Sequence, residues 1–350
     1  MMNSTRVAIP TLVRIKPDAL ARVGVYLSRF DHPRVAVFLS EGLIEPLVEG
    51  LRASLEAMSI EAVAWRMVDS HAFEDTVAHF VQLPRTATAI VGCGGGKALD
   101  VAKYVAFMAN LPYFAVPTSL SNDGFCSPQV SLTIDGKRRS LAAGMPFGVV
   151  VDTRVCAHAP PLLTLSGIGD LAAKFTAVSD WKLAFYHAGE VVDDFAALLS
   201  DGAVHAFLGR PELDHEGIRL LATSLMFNGI AMEVCGSSRP ASGSEHLISH
   251  ALDEFSARPR LHGLQVGVAA YLMSLLQQQN SQAIGRLFEQ TGFWDAIASD
   301  RFSTAEWLQA VRRAPAIKPN FYTVLSTRDR IPEVVEALAS DRWLKACFTA

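Results

Sequence analysis

The sequence predicts an α/β domain with a parallel sheet, followed by a domain built almost entirely of helices. Short apolar runs alternate with amphipathic stretches over roughly the first 155 residues, as in a sheet covered by helices. After Pro160 and Pro161, long helical stretches follow with few strand signals. The chain has 350 residues, more than the ~250–300 that one hydrophobic core usually supports. We therefore predict two domains, 1–160 and 161–350.

Individual elements of the first domain follow from local patterns. The apolar runs at 35–39 and 87–91 lack alternation, which is typical of parallel strands buried on both faces. Asp135 and Gly136 separate two strand-like runs and predict a hairpin, because both turn positions favour positive φ. In chain order we predict strands at 35–39, 62–68, 87–91, 113–116, 129–134, 137–142 and 147–151, with helices at 41–58, 73–83 and 98–109.

Composition excludes several classes of protein. Half the residues are hydrophobic and 19% are charged, which is incompatible with a largely disordered chain. The net charge of −4 arises from mixed signs, so no basic field attracts nucleic acid or an anionic membrane. Polar residues interrupt the apolar stretches before the ~20 residues that span a bilayer. Five cysteines without a Cys-x-x-Cys pair, and a start without a signal-like apolar run, favour reduced thiols in a cytoplasmic protein.

A glycine-rich loop lies between a predicted strand and a predicted helix. Gly92-Cys93-Gly94-Gly95-Gly96-Lys97 can present backbone N–H groups and a helix N-terminus to a phosphate. It lacks the third glycine of the dinucleotide fingerprint, and Ala98 replaces the Ser or Thr of a P-loop. A tight turn explains one or two glycines, whereas three in a row favour pyrophosphate binding. We place Asp100 in the first helical turn, and Glu41 either towards a ribose or as an ordinary solvated residue.

The second half contains residues that are suited to metal binding. His246 and His250 are spaced i, i+4 and share a helix face, and His262 opens the next helical stretch. Asp170 follows Gly167 and Gly169 and is placed at a helix start, where it is either an N-cap or a ligand. Each histidine taken alone is better explained as a surface or core residue, and only their joint appearance favours metal binding. One carboxylate and two imidazoles leave a coordination position of the metal ion open, which is typical of a catalytic site.

Five segments together resemble one protein family. They are GCGGGKALDVAKYVA, VPTSLSNDGFCSP, GIGDLAAKFTAVSDWKLA, GSSRPASGSEHLISHALD and HGLQVGVA, spread over most of the chain. They are similar to the sn-glycerol-1-phosphate dehydrogenases, relatives of iron-containing alcohol dehydrogenases and dehydroquinate synthases. The resemblance implies a nucleotide-binding α/β domain and a helical metal-binding domain. It also implies NAD(P), one divalent metal (zinc, with nickel or iron as alternatives), and hydride transfer between a secondary alcohol and a ketone.

The resemblance also assigns residues to roles. The substrate would be sn-glycerol-1-phosphate and dihydroxyacetone phosphate or a related polyol, contacted by Asp123 and His250. With His250 in this role, the i, i+4 histidine pair is not a chelate. The metal ligands would be Asp170, His246 and His262. The cofactor would be held by Gly94, Gly95, Gly96, Lys97, Ala98, Thr118, Ser119, Ser121 and Ser127.

Three positions depart from the family pattern. Asn122 replaces a histidine, Gln129 stands where arginine is frequent, and Phe321 replaces a basic residue, which counts against a phosphorylated substrate. The alternative within enzymes is a dehydroquinate-synthase-like cyclase that uses NAD transiently, but that class typically has Glu where Asp170 stands. A catalytically inactive regulator would have a broken ligand set, whereas this set is complete. We further expect a homo-oligomer.

Overall fold

The computed structural model describes residues 7–349, so the expectation about the chain start lies largely outside it. The chain separates into two compact units, the first ending at Ala159 and the second beginning at Pro160. This division is adjacent to the predicted one at 160/161. The roles assigned to the two domains, cofactor binding and metal binding, stay predictions.

The first unit contains a six-stranded parallel sheet. Its strands are β1 (Leu12–Lys16), β2 (Arg34–Ser40), β3 (Glu61–Val68), β4 (Ala89–Gly94), β5 (Tyr113–Pro117) and β8 (Gly148–Asp152), in the spatial order β1-β8-β5-β4-β2-β3. Strand β3 pairs with one edge of β2, whereas β4 pairs with the other edge and is followed by β5. The strand order therefore reverses between β2 and β4, which makes this the topological switch point.

Both faces of this sheet are covered. In β2, Val35, Val37 and Leu39 belong to one buried cluster, while Ala36 and Phe38 belong to another on the opposite face. The continuous apolar runs thus indicate strands buried on both sides, as predicted. The helices of this unit are α1 (Val23–Ser28), α2 (Glu45–Glu56), α3 (Phe73–Val81), α4 (Gly96–Ala109) and α5 (Thr153–Ala157), with 3₁₀ turns at Leu20–Arg22 and Asp123–Cys126.

The predicted hairpin is confirmed by strands β6 (Gln129–Ile134) and β7 (Lys137–Ala142), which pair antiparallel. Asp135 and Gly136 both have positive φ, 50° and 72°. Three local predictions are wrong. Strand β1 was not predicted, because it is an edge strand whose residues are mostly half-buried. Helix α2 begins at Glu45 rather than at 41, with a proline in its first turn. Asp100 lies beyond the first turn of α4.

The second unit is helical, which confirms the predicted α/β plus all-α fold class. Its longest helix, α6 (Pro161–Ala188), has 28 residues and is buried on most of its circumference. Two short strands, missed in the sequence, pair β9 (Phe302–Ser303) with β10 (Phe348–Thr349). The helices are α6 (Pro161–Ala188), α7 (Asp194–Leu208), α8 (His215–Cys235), α9 (Ser244–Phe255), α10 (His262–Gln277), α11 (Ser281–Gln290), α12 (Phe293–Ser299), α13 (Thr304–Ile317), α14 (Ile331–Ser340) and α15 (Leu344–Cys347), with a 3₁₀ turn at Val324–Ser326.

Helix α8 differs from expectation in its composition. By length and hydropathy alone it is able to cross a membrane, although no apolar stretch of that length was expected. Within its most apolar window, 56% is buried inside the protein, and α8 packs along α7. These are properties of a core helix in a globular protein. The five cysteines are free thiols, four of them buried and Cys235 half-buried.

Candidate functional site

Three predicted metal ligands converge in the second unit. Asp170, His246 and His262 each offer a donor atom, and these atoms lie within 4.8 Å of one another. The Nε2 atom of His246 is 3.4 Å from Oδ1 of Asp170, and the rings of His246 and His262 have centroids 5.1 Å apart. Asp170 is 1% exposed and His246 7%, while His262 is half-buried. The structure therefore brings together the residues that the resemblance named.

A close crossing of α6 and α10 produces this convergence. A Cβ added to Gly169 would lie 2.1 Å from the carbonyl oxygen of Gly263, and one added to Gly263 would lie 1.8 Å from that of Ser166. Only glycine lets the two backbones approach so closely. Asp170 and His262 directly flank this contact. The predicted helix start at Asp170 is wrong, since Asp170 is the tenth residue of α6 and cannot be its N-cap.

Asp170 is held in its charged form by a buried cation. Lys174, one helical turn further along α6, donates from Nζ to Oδ1 of Asp170 at 2.9 Å and to the carbonyl of Ala241 at 3.2 Å. Burial alone would raise the pKa of Asp170, but Lys174 and His246 bring it well below its usual range. The carboxylate thus keeps the charge that a metal ligand needs.

A second buried carboxylate lies behind His246. Nδ1 of His246 donates to Oε1 of Glu245 at 2.9 Å, and Glu245 is fully buried. Burial and the charge of Glu245 raise the pKa of Asp180 to about 6, against the hydrogen bonds that Asp180 accepts from Ser244. Counted as ionised, the buried residues Asp170, Asp180 and Glu245 carry three negative charges and Lys174 carries one positive charge, a formal sum of −2 when the histidines are neutral. A divalent cation would balance that charge.

His250 lies beside the three ligands without belonging to their close group. It is half-buried on α9, one turn after His246. Its ring centroid is 6.4 Å from that of His246 and 5.8 Å from that of His262. His262 contacts Ser249 instead, with 3.3 Å between Nδ1 and the hydroxyl oxygen. The close group of donor atoms thus contains His262 rather than His250, so it gives no support to a chelate formed by His246 and His250.

The glycine-rich loop lies at the carboxyl end of β4, at the switch point of the sheet. Gly94 needs to be glycine, because its φ is +142° and an added Cβ would lie 2.1 Å from Oγ of Ser40. Gly95 and Gly96 have no such reason, since the nearest protein atoms to an added Cβ are 3.9 and 3.8 Å away. Their missing side chains leave open space in front of the α4 N-terminus, which has no side-chain cap.

Neighbouring cofactor candidates take different positions. Lys97 is exposed and donates to the carbonyl of Asp69 at 2.8 Å, whereas Ala98 is buried under the loop. The backbone N–H of Thr118 donates to the carbonyl of Gly94 at 3.0 Å, which joins the segment after β5 to the glycine loop. Ser119 is buried and Ser121 half-buried on the same segment.

A buried lysine organises the end of that segment. Lys103 of α4 is 1% exposed, and its Nζ donates to the backbone carbonyls of Gly124, Ser127 and Gln129 at 2.6, 3.0 and 2.8 Å. The Ser127 hydroxyl donates to the carbonyl of Gln129, so its proton is used locally. Asp123 begins the 3₁₀ turn that Lys103 holds.

Comparisons with known proteins identify relatives of this chain. Residues 14–160 match the family model described as iron-containing alcohol dehydrogenase. A glycerol-1-phosphate dehydrogenase [NAD(P)+] of Methanosarcina acetivorans is 37% identical over 247 residues, covering 68% of each chain. One from Aeropyrum pernix is 34% identical over 342 residues, covering 95% of this chain and 97% of its own. The chain belongs to the glycerol-1-phosphate dehydrogenase family.

Family membership confirms the predicted resemblance and the predicted reaction class, an oxidoreductase. Among solved structures, glycerol dehydrogenase from Schizosaccharomyces pombe has a TM-score of 0.75 at 17% identity, covering 98% of this chain and 92% of its own. At that identity the likeness shows the fold only. The fold is that of the iron-containing alcohol dehydrogenases, as this structure and a further alcohol dehydrogenase with a TM-score of 0.71 indicate.

The charged residues that surround the ligands were not predicted from the sequence. Lys174, Asp180 and Glu245 are buried, yet the local sequence around Asp180 and Glu245 does not distinguish these two residues from solvated charges. One signal was available: Asp170 and Lys174 are spaced i, i+4 in a helix that is otherwise apolar on most sides, so a buried ion pair was the alternative to two exposed charges.

Proposed function

We propose that this enzyme interconverts sn-glycerol-1-phosphate and dihydroxyacetone phosphate, or a closely related polyol and ketose. As a member of its family the chain is a metal-dependent, NAD(P)-linked oxidoreductase. The observation that carries the proposal is the buried group Asp170, His246 and His262, formed in a chain that aligns with a glycerol-1-phosphate dehydrogenase over 95% of its length. The identity of the substrate is the part that experiment must decide.

The three donors fit a divalent metal. Donor atoms around a tetrahedral zinc ion with bonds of ~2.0–2.1 Å lie about 3.3 Å apart, and His246 Nε2 and Asp170 Oδ1 are already 3.4 Å apart. The buried formal charge of −2 supports a cation of charge +2. One oxygen and two nitrogen ligands suit zinc, which we propose, while nickel and iron accept the same set. Three protein ligands leave a position open for the substrate oxygen.

The glycine loop fits a dinucleotide pyrophosphate. It lies at the carboxyl edge where the strand order reverses, the usual ligand position in open α/β sheets. The space in front of Gly95 and Gly96, together with the uncapped start of α4, suits an anionic group. We assign Gly94, Gly95, Gly96, Lys97 and Ala98 to the pyrophosphate, and Thr118, Ser119, Ser121 and Ser127 to the remainder of the nucleotide.

The chain's own residues complete the chemistry. When bound, the metal ion supplies Lewis acidity at the substrate oxygen and the nicotinamide exchanges hydride with the substrate carbon. Asp123 accepts a hydrogen bond from a substrate hydroxyl and so selects its orientation. His250 accepts the proton that the alcohol oxygen loses on oxidation and returns it in the reverse reaction, a role suited to imidazole because this group exchanges protons near neutral pH. The half-buried position of His250 beside the ligands supports this role.

We also propose a cytoplasmic homo-oligomer. The free cysteines suit a reducing compartment. Large apolar side chains remain exposed at the end of α6 and along α7, which supports self-association. They include Phe185 (51% exposed), Tyr186 (80%), Phe195 (59%) and Leu198 (67%). Light scattering coupled to size-exclusion chromatography tests this assembly, and a monomer at micromolar concentration contradicts it.

An assay of substrate preference tests the proposal. Zinc-reconstituted protein is mixed with NADH or NADPH and with dihydroxyacetone phosphate, dihydroxyacetone or other ketoses, and nicotinamide absorbance is followed. We expect turnover to be fastest with dihydroxyacetone phosphate. Turnover of unphosphorylated ketones alone would reject the phosphorylated substrate, in line with the altered positions Asn122, Gln129 and Phe321. If no ketone causes oxidation of NADH or NADPH, the proposed reaction is rejected.

A further inference from the structure

We propose that Glu245 is a positioning residue for the metal ion, because it fixes His246 in the tautomer that presents Nε2 to the metal. The inference rests on the metal site proposed above and deepens it. His246 is hydrogen-bonded to a buried carboxylate, and the contact of His262 with the neutral Ser249 hydroxyl offers a comparison.

The tautomer follows from the partners of Glu245. A carboxylate can only accept, so the 2.9 Å contact between Oε1 and His246 Nδ1 requires a proton on Nδ1. The lone pair needed for metal binding then lies on Nε2, the nitrogen that faces Asp170. A carboxylate behind a ligating imidazole also increases its basicity and fixes the orientation of its ring.

Glu245 is itself held in place from both sides. Oε1 also accepts from the backbone N–H of Gly243 at 2.6 Å, and Oε2 accepts from the hydroxyl of Thr176 at 2.9 Å. Its position in the first turn of α9 favours a negative charge through the helix dipole. Among residues 7–349, no Lys or Arg pairs with it within salt-bridge distance. Among the hydrogen-bond partners of Glu245 described here, His246 is the one that can carry a charge.

A contact of the other histidine ligand provides a control. Nδ1 of His262 lies 3.3 Å from the Ser249 hydroxyl, and Gln265 donates to that hydroxyl at 3.0 Å. Neither side chain is charged. Ser249→Ala removes one contact of a ligating histidine without removing charge, which makes it a matched control for a change at Glu245.

The substitution Glu245→Gln isolates the charge from the geometry. Glutamine has the same shape, and its carbonyl oxygen can accept from His246 and Gly243. Its amide can donate to the Thr176 oxygen, because the Thr176 hydroxyl has a second acceptor in the carbonyl of Ala173 at 2.9 Å. Hydrogen bonds are therefore conserved. We expect zinc affinity, measured by competition with a chromophoric chelator, to fall about 10- to 100-fold in Glu245→Gln and less than about 3-fold in Ser249→Ala.

Three results separate the possible errors. His262→Ala should abolish zinc binding at this site; wild-type binding in that variant would overturn both the metal site and this inference. Loss of binding in His262→Ala, with wild-type affinity in Glu245→Gln, would overturn the role of Glu245 alone. Because Glu245→Gln can fail to fold, ¹⁵N-histidine NMR of the zinc-loaded wild-type protein gives a second test. We expect the His246 resonances, assigned with His246→Gln, to show a protonated Nδ1, and a proton on Nε2 would overturn the proposal.

Discussion

The crossing of α6 and α10 at Gly169 gives a direct prediction, since it determines the distance between Asp170 and His262. In Gly169→Ala, the new Cβ would lie 2.1 Å from the Gly263 carbonyl oxygen, whereas ordinary contacts begin at 3.4 Å. The helices must therefore separate by about 1.3 Å, the difference between these values. Overpacking of this kind typically costs about 1–3 kcal/mol of folding free energy.

The same displacement should weaken metal binding. Metal–ligand distances tolerate only about ±0.2 Å, so a shift of the ligand-bearing helices is expected to reduce zinc affinity by about 10-fold or more. Urea denaturation measures the first effect and chelator competition the second. Gly202→Ala in α7 is the control, because nothing lies within 4 Å of its added Cβ. Wild-type stability and zinc affinity in Gly169→Ala would refute the reasoning.

Three further outcomes are expected. Lys103→Met leaves three backbone carbonyls without their hydrogen-bond donor. The free energy of unfolding, measured in urea, should therefore fall by about 2–4 kcal/mol. A loss below about 0.5 kcal/mol would count against the role of Lys103. Gly96→Ala should weaken NADPH or NADH binding about 10-fold in fluorescence titrations, because the added methyl group occupies the proposed pyrophosphate position. Thermal stability should not fall, because no protein atom lies closer than 3.8 Å to the added Cβ. Unchanged cofactor affinity would contradict the proposed pyrophosphate position. Burial lowers the pKa of His246, but its hydrogen bonds to Asp170 and Glu245 outweigh burial and raise that pKa above 6.5. Zinc affinity should consequently be highest at alkaline pH, where His246 is neutral, and should decline as the pH falls through this raised pKa, a decline that begins above 6.5. A zinc affinity that stays constant between about pH 8 and about pH 6 would contradict this expectation.

The parallel sheet was predictable because its signals are local. Strands buried on both faces show uninterrupted apolar runs, as β2 and β4 do, and the hairpin turn is encoded by Asp135 and Gly136. Strand β1 lacks such a signal, since an edge strand with half-exposed residues resembles a polar segment. The resemblance to a family supplied the ligand set, which spacing alone left open.

The environment of the ligands was not predictable, because it depends on contacts between distant segments. The glycines before Asp170 suggested a helix start, but Gly169 serves the contact with Gly263, which lies on another helix. Glu245 and Lys174 each lie on the same helix as the ligand that they contact. Their burial, however, depends on the packing of α6 against α9, which the sequence does not reveal. Tertiary packing rather than local propensity thus decides which charges are buried.

Anomalous X-ray diffraction from crystals of the zinc-loaded protein tests the central claim most directly. We expect one anomalous peak within about 2.0–2.2 Å of a carboxylate oxygen of Asp170 and of Nε2 in both His246 and His262. His250 should remain outside the coordination sphere, and Glu245 should still accept from Nδ1 of His246. A peak elsewhere in the protein, or coordination of His246 through Nδ1, would contradict this account.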